Sequence, residues 1–133
     1  IPIHFSKEIV GSPILTSDRS RVNTVMRNII GNAVKYSRKD VNGAYVKTVV
    51  SHSGNQMIIK VEDNGEGISD ENLEKVFDMF FRATTSSQGT GLGLYICKEI
   101  LLKLNGKIEA KSELGKGTTI TVILPNHTKN SNQ

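Results

Sequence analysis

The stretch DNGEGI, residues 63–68, decides the fold of this chain, because the segments around it can be interpreted as elements that hold its carboxylate and its glycines in position. It follows residues 57–62, an apolar run with the composition of a β-strand, which would hold Asp63 rigidly at the strand end. Gly65 and Gly67 permit a positive φ and a close approach of the backbone to a flat ligand. Asp, Asn and Gly are also the residues of ordinary turns, so this stretch alone leaves both interpretations open.

The composition is typical of one globular domain. The chain has 133 residues, 37% of them hydrophobic and 23% charged, with no apolar run of about 18 residues and no signal-peptide pattern. We expect a domain over residues 1–125, a disordered polar tail over 126–133, a cytoplasmic location and no membrane contact. The formal net charge is +4, but the basic residues are scattered and aromatic residues make up only 5%, so we expect no nucleic-acid partner. The one cysteine, Cys97, is expected in the core.

Upstream of this stretch, the hydrophobic spacing predicts a strand over residues 3–10 and a long helix that begins at Ser17 or Asp18 and continues to about residue 37. A polar stripe with the spacing i, i+4, i+7 and i+8 follows the edge of its apolar face: Asn28, Asn32, Lys35 and Tyr36. Asparagines disfavour a helix interior, so this stripe is either compensated by a ligand or is a solvated edge.

The remaining segments predict an α+β fold. Two strands over residues 44–51 and 57–62 form a hairpin, and a short helix over residues 70–77 with Ser69 as its N-cap follows. Residues 83–91 are polar and are expected to form a mobile lid. A helix over residues 94–104, apolar around most of its girth and therefore expected to be deeply packed, precedes a second hairpin with strands over residues 107–111 and 118–124, and Pro125 ends the sheet.

Together, the carboxylate, the polar stripe and a glycine-rich helix start suit a nucleotide. Asp63 can accept a hydrogen bond from an exocyclic amine, an asparagine oxygen can bind Mg²⁺, and Lys35 supplies a point charge. The helix start behind residues 89–93 can hold the triphosphate. The sequence has no P-loop, no eukaryotic-type kinase motif and no dinucleotide-binding fingerprint, which excludes those three classes.

In the order of its motifs, the chain resembles the catalytic ATP-binding domain of sensor histidine kinases, in the superfamily that also holds gyrase, mismatch-repair and heat-shock chaperone ATPases. Residues 28–37 resemble the asparagine box, 63–68 the first glycine box and 76–82 the phenylalanine box. Residues 89–94 resemble the second glycine box and residues 115–119 the third. The resemblance implies a two-layer α/β sandwich, with a mixed sheet of about five strands packed under three helices and ATP between the first helix and a lid.

The resemblance also implies a role for each matching residue. Asn32 would bind Mg²⁺ and act with Lys35 as a catalytic residue, with Asn28 near the phosphates and Tyr36 at the nucleoside. Asp63 would bind the adenine amine beside Gly65 and Gly67, and Thr118 would contact adenine through water. The phosphates would lie against a glycine-rich run: Gly89, Thr90, Gly91, Leu92 and Gly93.

The family transfers the γ-phosphoryl group of ATP to a histidine on a separate dimerisation domain, and His4, His52 and His127 do not resemble that acceptor. We therefore expect a monomeric catalytic domain whose partners are its dimerisation domain and a response regulator. The segment between Arg82 and Gly89 is short for the family's lid. A serine kinase of the anti-sigma type and a non-catalytic nucleotide-binding module remain as alternatives.

Overall fold

The computed structural model describes residues 3–10, 18–38, 43–79, 81 and 93–126. The helices in these ranges are α1 (Arg19–Lys35), α2 (Asp70–Leu73) and α3 (Gly93–Lys103). The strands are β1 (His4–Ile9), β2 (Tyr45–Ser53), β3 (Gln56–Asp63), β4 (Lys107–Glu113) and β5 (Gly117–Pro125). The predicted lid and the tail from residue 127 onward lie outside the described residues.

The five strands form one mixed sheet in the order β1-β2-β3-β5-β4. β1 pairs with β2 in parallel, and the other neighbours are antiparallel. The pairing places Asp63 opposite Val46 of β2 and opposite Thr118 of β5. Because β3 is the central strand, it carries Asp63 to the middle of one end of the sheet.

Alternation along the two central strands gives the sheet one apolar face. The buried residues of that face are Met57, Ile59 and Val61 on β3 and Ile120, Val122 and Leu124 on β5. Helix α1 covers this face with Val25, Ile29 and Ala33, and α3 covers it with Leu94, Cys97 and Leu101. The predicted two-layer α+β sandwich is therefore confirmed.

The start of α1 and the core position of the cysteine are as the sequence predicted. Asp18 is the N-cap of α1, and its side chain accepts a hydrogen bond from the backbone N–H of Arg21 at 3.1 Å. Cys97 is fully buried, and its thiol donates to the carbonyl oxygen of Val25 at 3.6 Å. Burial raises the pKa of this thiol to about 12, as expected for a core cysteine.

The prediction of the helix after Ser69 was wrong at its end. Ser69 is the N-cap as predicted, but α2 ends at Leu73 rather than at residue 77. Beyond Leu73 the backbone tightens into turns in which an N–H bonds three residues back, as from Val76 to Leu73 at 3.4 Å. This winding places Val76 in the core, where it is 7% exposed.

The prediction that the second long helix is packed around most of its girth was also wrong. Ile96 is 37% exposed and Leu102 is 59% exposed on α3. The reason is architectural, because a two-layer sandwich covers a helix on the side of the sheet and of the neighbouring helix only. No helix among the described residues is long and apolar enough to cross a membrane.

Candidate functional site

A cavity of about 270 Å³ lies between α1 and the end of the sheet where β3 terminates. Its apolar walls are formed by core residues: Ile29, Ala33, Val61, Val76, Leu94 and Ile120. The polar or charged residues that line it include Asn32, Tyr36, Asp63, Glu66, Ser69, Asn72 and Thr118. An apolar cavity with a few polar groups is typical of a small-molecule site.

Asp63 is the carboxylate of this cavity, and the loop that follows it fixes its orientation. The backbone N–H of Gly65 donates to Asp63 Oδ1 at 2.8 Å. Burial raises the pKa of Asp63 above its ordinary value, whereas the backbone N–H groups of Gly65 and Thr118 oppose this change. The carboxylate is therefore half-buried and oriented, which suits recognition of a donor group on a ligand.

The loop over residues 64–69 is held on three sides. Asn64 Oδ1 accepts from the N–H of Tyr45 at 2.8 Å, and Asn64 Nδ2 donates to the carbonyl oxygen of Gly43 at 3.1 Å. The N–H of Glu66 donates to the carbonyl oxygen of Tyr36 at 3.0 Å, and the carbonyl oxygen of Glu66 accepts from Gly115 at 2.7 Å. These bonds tie the loop to β2, to the end of α1 and to the β4–β5 turn, so the cavity wall is formed before any ligand binds.

The two glycines of this loop differ in conformation. Gly67 has a φ of 75°, as its sequence context predicted, whereas Gly65 is not among the glycines with positive φ. A Cβ atom on Gly65 would overlap the carbonyl oxygen of Tyr36, and one on Gly67 would overlap that of Glu113. The close approach that each glycine allows is therefore to the protein's own backbone, and their contact with a ligand stays a prediction.

The structure separates the predicted polar stripe of α1 into two groups. Asn32 and Tyr36 line the cavity, because a spacing of four residues keeps them on one face. Asn28 lies one turn earlier, where its Nδ2 donates to the backbone carbonyl oxygen of Thr24 at 2.9 Å and its Oδ1 faces Gly93 at the start of α3. Lys35 is exposed and does not line the cavity, and its Nζ lies 5.2 Å from the centre of the Tyr36 ring.

Of the residues predicted for the site, the cavity therefore brings together Asn32, Tyr36, Asp63, Gly67 and Thr118. Gly65 adjoins it through its bond to Asp63, and Gly93 adjoins Asn28. The other members of the glycine-rich run lie outside the described residues: Gly89, Thr90, Gly91 and Leu92.

Ser112 is a residue of this region that the sequence analysis missed. Its Oγ accepts from the backbone N–H of Ile68 at 2.7 Å, donates to the carbonyl oxygen of Gly117 at 2.9 Å and lies 2.7 Å from Thr118 Oγ1. Ser112 is on the inward-facing side of β4 with Ile108 and Ala110. The sequence signal that could have identified Ser112 is its hydroxyl group at an inward-facing position of β4, where the other inward residues are apolar.

The metal-binding groups that line the cavity fit a Mg²⁺ ion that is coordinated mainly by water and phosphate oxygens rather than by protein side chains. Among the described residues, no group of three His, Cys, Asp or Glu side chains could hold a metal ion. Asn32 offers one neutral amide oxygen at the cavity. Mg²⁺ commonly takes only one or two protein ligands and completes its octahedron with water and phosphate oxygens, so a single asparagine is sufficient.

Comparison with known proteins gives this site its class. Residues 17–128 match the family described as histidine kinase-, DNA gyrase B- and HSP90-like ATPases, and the chain belongs to this family. Within the family, the chain is of the sensor histidine kinase type and corresponds to its catalytic ATP-binding domain, as the following relatives show.

Sensor protein SrrB of Staphylococcus aureus strain MRSA252 is 40% identical over 116 residues, which are 84% of this chain and 19% of that protein. The nucleotide-free catalytic domain of histidine kinase ThkA superposes with a TM-score of 0.79 at 29% identity, covering 93% of this chain and 79% of that domain. Full-length ShkA in complex with AMPPNP gives a TM-score of 0.79 at 27% identity, covering 95% of this chain and 26% of ShkA. The chain thus spans about a fifth of the length of the sensor protein that it matches.

Proposed function

We propose that this chain binds ATP with Mg²⁺ and donates the γ-phosphoryl group to a histidine on a separate dimerisation domain. The observation that carries the proposal is the position of Asp63. Its carboxylate is held by the N–H of Gly65 at the end of the central strand and shares one cavity with Asn32 of α1. A base-recognising group and a phosphate-facing group thus lie on the two elements that enclose the cavity.

Adenine is the base that this cavity accommodates best. Its flat ring fits between apolar walls that include Ile29, Val61 and Ile120, and its exocyclic amine can donate to Asp63. Such a bond to a charged acceptor is worth about 1.5–3 kcal/mol. The complex of the structural relative ShkA with AMPPNP, an adenine nucleotide, supports this assignment.

The phosphates would extend from the base toward α1 and the start of α3. Asn32 would hold Mg²⁺ there, and the ion would neutralise phosphate charge. Asn28 lies against Gly93 at the first residue of α3, where a helix start presents unpaired N–H groups to an anion. Lys35 is exposed near Tyr36, and we propose that it reaches the phosphates as a flexible point charge.

The acceptor comes from another domain. Of the two described histidines, His4 lies on β1 and His52 on β2, and neither lines the cavity. In the transfer, an imidazole nitrogen of the acceptor bonds to the γ-phosphorus while the bond to the β–γ bridging oxygen breaks and ADP leaves. The chain contributes position and electrostatic stabilisation, and the dimerisation domain contributes the nucleophile. A response regulator would then receive the phosphoryl group.

Mixing the chain with radiolabelled ATP, Mg²⁺ and a dimerisation domain as a separate polypeptide tests this function. We expect label on the second polypeptide, in a phosphoramidate that is labile to acid and stable to alkali. The variant of that domain in which its acceptor histidine is replaced by glutamine is the control and should remain unlabelled. An acid-stable product on serine would contradict the histidine assignment, and ATP binding without transfer to any acceptor domain would favour a non-catalytic module.

A further inference from the structure

The hydroxyl group of Ser112 on β4 bonds to two other segments, the loop after β3 and the start of β5, behind the base end of the cavity. It accepts from the backbone N–H of Ile68 at 2.7 Å, donates to the carbonyl oxygen of Gly117 at 2.9 Å and is 2.7 Å from Thr118 Oγ1. Serine oxygen has one proton and two lone pairs, so three hydrogen bonds use all of its capacity.

The direction of each bond follows from the partners. The carbonyl oxygen of Gly117 can only accept, so the single proton of Ser112 is directed to it. The N–H of Ile68 can only donate, and it takes one lone pair of Ser112. In the remaining bond, Thr118 must therefore be the donor and Ser112 the acceptor. The hydroxyl proton of Thr118 is used in the hydrogen bond to Ser112, so Thr118 Oγ1 can only accept a hydrogen bond from a ligand.

Thr118 and Asp63 form the same wall of the cavity. They are register partners across β3 and β5, and both line the cavity. An ionised carboxylate also only accepts hydrogen bonds, and Asp63 Oδ1 already accepts from Gly65. The side chains at this wall thus present acceptors to a ligand and no donor.

We propose that Ser112 is a positioning residue that makes this wall accept hydrogen bonds only, so that the cavity selects a base with an amino group at this edge over one with a carbonyl group. The inference rests on the proposed nucleotide-binding function. An amino group can donate to the wall, whereas a carbonyl oxygen placed there would face other acceptors and remain unpaired. Sites that must leave a buried polar group unpaired discriminate strongly between ligands.

The test compares ADP with 6-methoxypurine riboside diphosphate by isothermal titration calorimetry. This analogue has an oxygen acceptor in place of the 6-amino group and keeps the N1 acceptor of adenine, whereas inosine diphosphate would also turn N1 into a donor. We expect the unmodified chain to prefer ADP. In Ser112→Ala the hydroxyl of Thr118 is free to turn and donate, so the ratio of the two dissociation constants should fall by about two- to tenfold. Ser112→Thr keeps the hydroxyl and should keep the ratio.

Further variants separate positioning from a purely structural role. Thr118→Val removes the acceptor and should lower the ratio, and adding Ser112→Ala to it should change the ratio no further. Thr119→Val is the matched control, because the next residue of β5 faces the opposite side of the sheet. Ser112→Cys weakens the same bonds and should shift the ratio in the same direction, so it serves if the alanine variant does not fold.

A Ser112→Ala variant that weakens ADP and the 6-methoxypurine analogue by the same factor would overturn the inference and leave Ser112 a structural residue. An unmodified chain that binds both nucleotides equally would overturn it as well. These outcomes leave nucleotide binding itself intact, whereas a chain that binds neither nucleotide would overturn the proposed function together with the inference.

Discussion

The backbone N–H of Glu66 donates to the carbonyl oxygen of Tyr36 at 3.0 Å, which joins the loop after β3 to the C-terminal end of α1. Asp63 directly precedes this loop, Asn32 lies in the last turn of α1, and both residues line one cavity. The bond therefore restrains the separation of Asp63, which we propose binds the base, from Asn32, which we propose faces the phosphates. A site held in this way loses little conformational entropy on binding, so single side-chain changes should report on ligand contacts directly.

Replacement of Asp63 by alanine should weaken ADP binding by about ten- to a hundredfold, because a hydrogen bond to a charged acceptor is lost. Isothermal titration calorimetry measures this change. Glu62→Ala is the control, since Glu62 is the preceding carboxylate, faces the other side of the sheet and bonds to the hydroxyl of Tyr45 at 2.6 Å. Equal affinities of the Asp63 variant and the unmodified chain would refute the adenine assignment.

Replacement of Asn32 by alanine should weaken the Mg²⁺-dependent part of ATP binding and abolish phosphoryl transfer, because the ion loses its protein ligand. The measurement is ATP affinity with Mg²⁺ and again with EDTA. Asn23→Ala is the matched control, because Asn23 is an exposed asparagine on α1 that does not line the cavity. If the loss caused by Asn32→Ala were as large in EDTA, Asn32 would not be a metal ligand.

Replacement of Gly67 by alanine should lower the free energy of unfolding by at least about 1–3 kcal/mol. The residue has a φ of 75°, and a Cβ atom would overlap the carbonyl oxygen of Glu113. Gly31→Ala is the control, since a Cβ atom there meets nothing within 4 Å in the helix α1. That change should raise the free energy of unfolding by about 0.5–1 kcal/mol. Urea denaturation of both variants tests the pair, and similar effects would contradict the strain at Gly67.

The raised pKa of Asp63 predicts a dependence of stability on pH in the ligand-free chain. Burial makes the folded protein hold this proton more tightly than the unfolded chain does. The stabilisation is fully present below the unfolded-state pKa and is lost as the pH rises through the folded-state pKa. The Asp63→Asn variant keeps an oxygen that can accept from the N–H of Gly65. Because its side chain does not titrate, it does not lose stability in this way as the pH rises.

The free energy of unfolding of Asp63→Asn should therefore rise relative to that of the unmodified chain between about pH 3 and neutral pH. Urea denaturation at a series of pH values measures this difference. A difference that does not change with pH would show that burial does not disfavour the charged form of Asp63.

Local sequence patterns were sufficient for most of the fold. The spacing of Val25, Ile29 and Ala33 predicted α1 and its buried face, because a helical face is set by neighbouring residues alone. Two β-rich runs joined by turn residues around Gly54 predicted the β2–β3 hairpin in the same way. The asparagine box and the first and third glycine boxes each contribute residues that line the cavity, whereas residues 89–92 of the second glycine box lie outside the described residues.

What the sequence did not predict depends on contacts between distant residues. The bond from Ile68 to Ser112 spans 44 positions, so the alternation of β4 could mark Ser112 as an inward-facing polar residue, but no local pattern could identify Ile68 as its partner. Leu102 is exposed because none of the described residues forms a layer over the outer side of α3, which the apolar composition of that helix does not show. The spacing of Lys35 placed it in the predicted polar stripe of α1. Consecutive residues of a helix point in different directions around its axis, and Tyr36 lines the cavity whereas Lys35 does not.

The order of the strands has a consequence for synthesis on the ribosome. β5 is the last described strand along the chain, yet it lies between β3 and β4 and completes the edge on which Thr118 stands beside Asp63. A nascent chain that has not yet released residues up to 125 lacks this strand, and β3 has an unpaired edge. Nucleotide binding during translation should therefore begin only once β5 has emerged, and capture of stalled nascent chains on immobilised ADP would show that threshold.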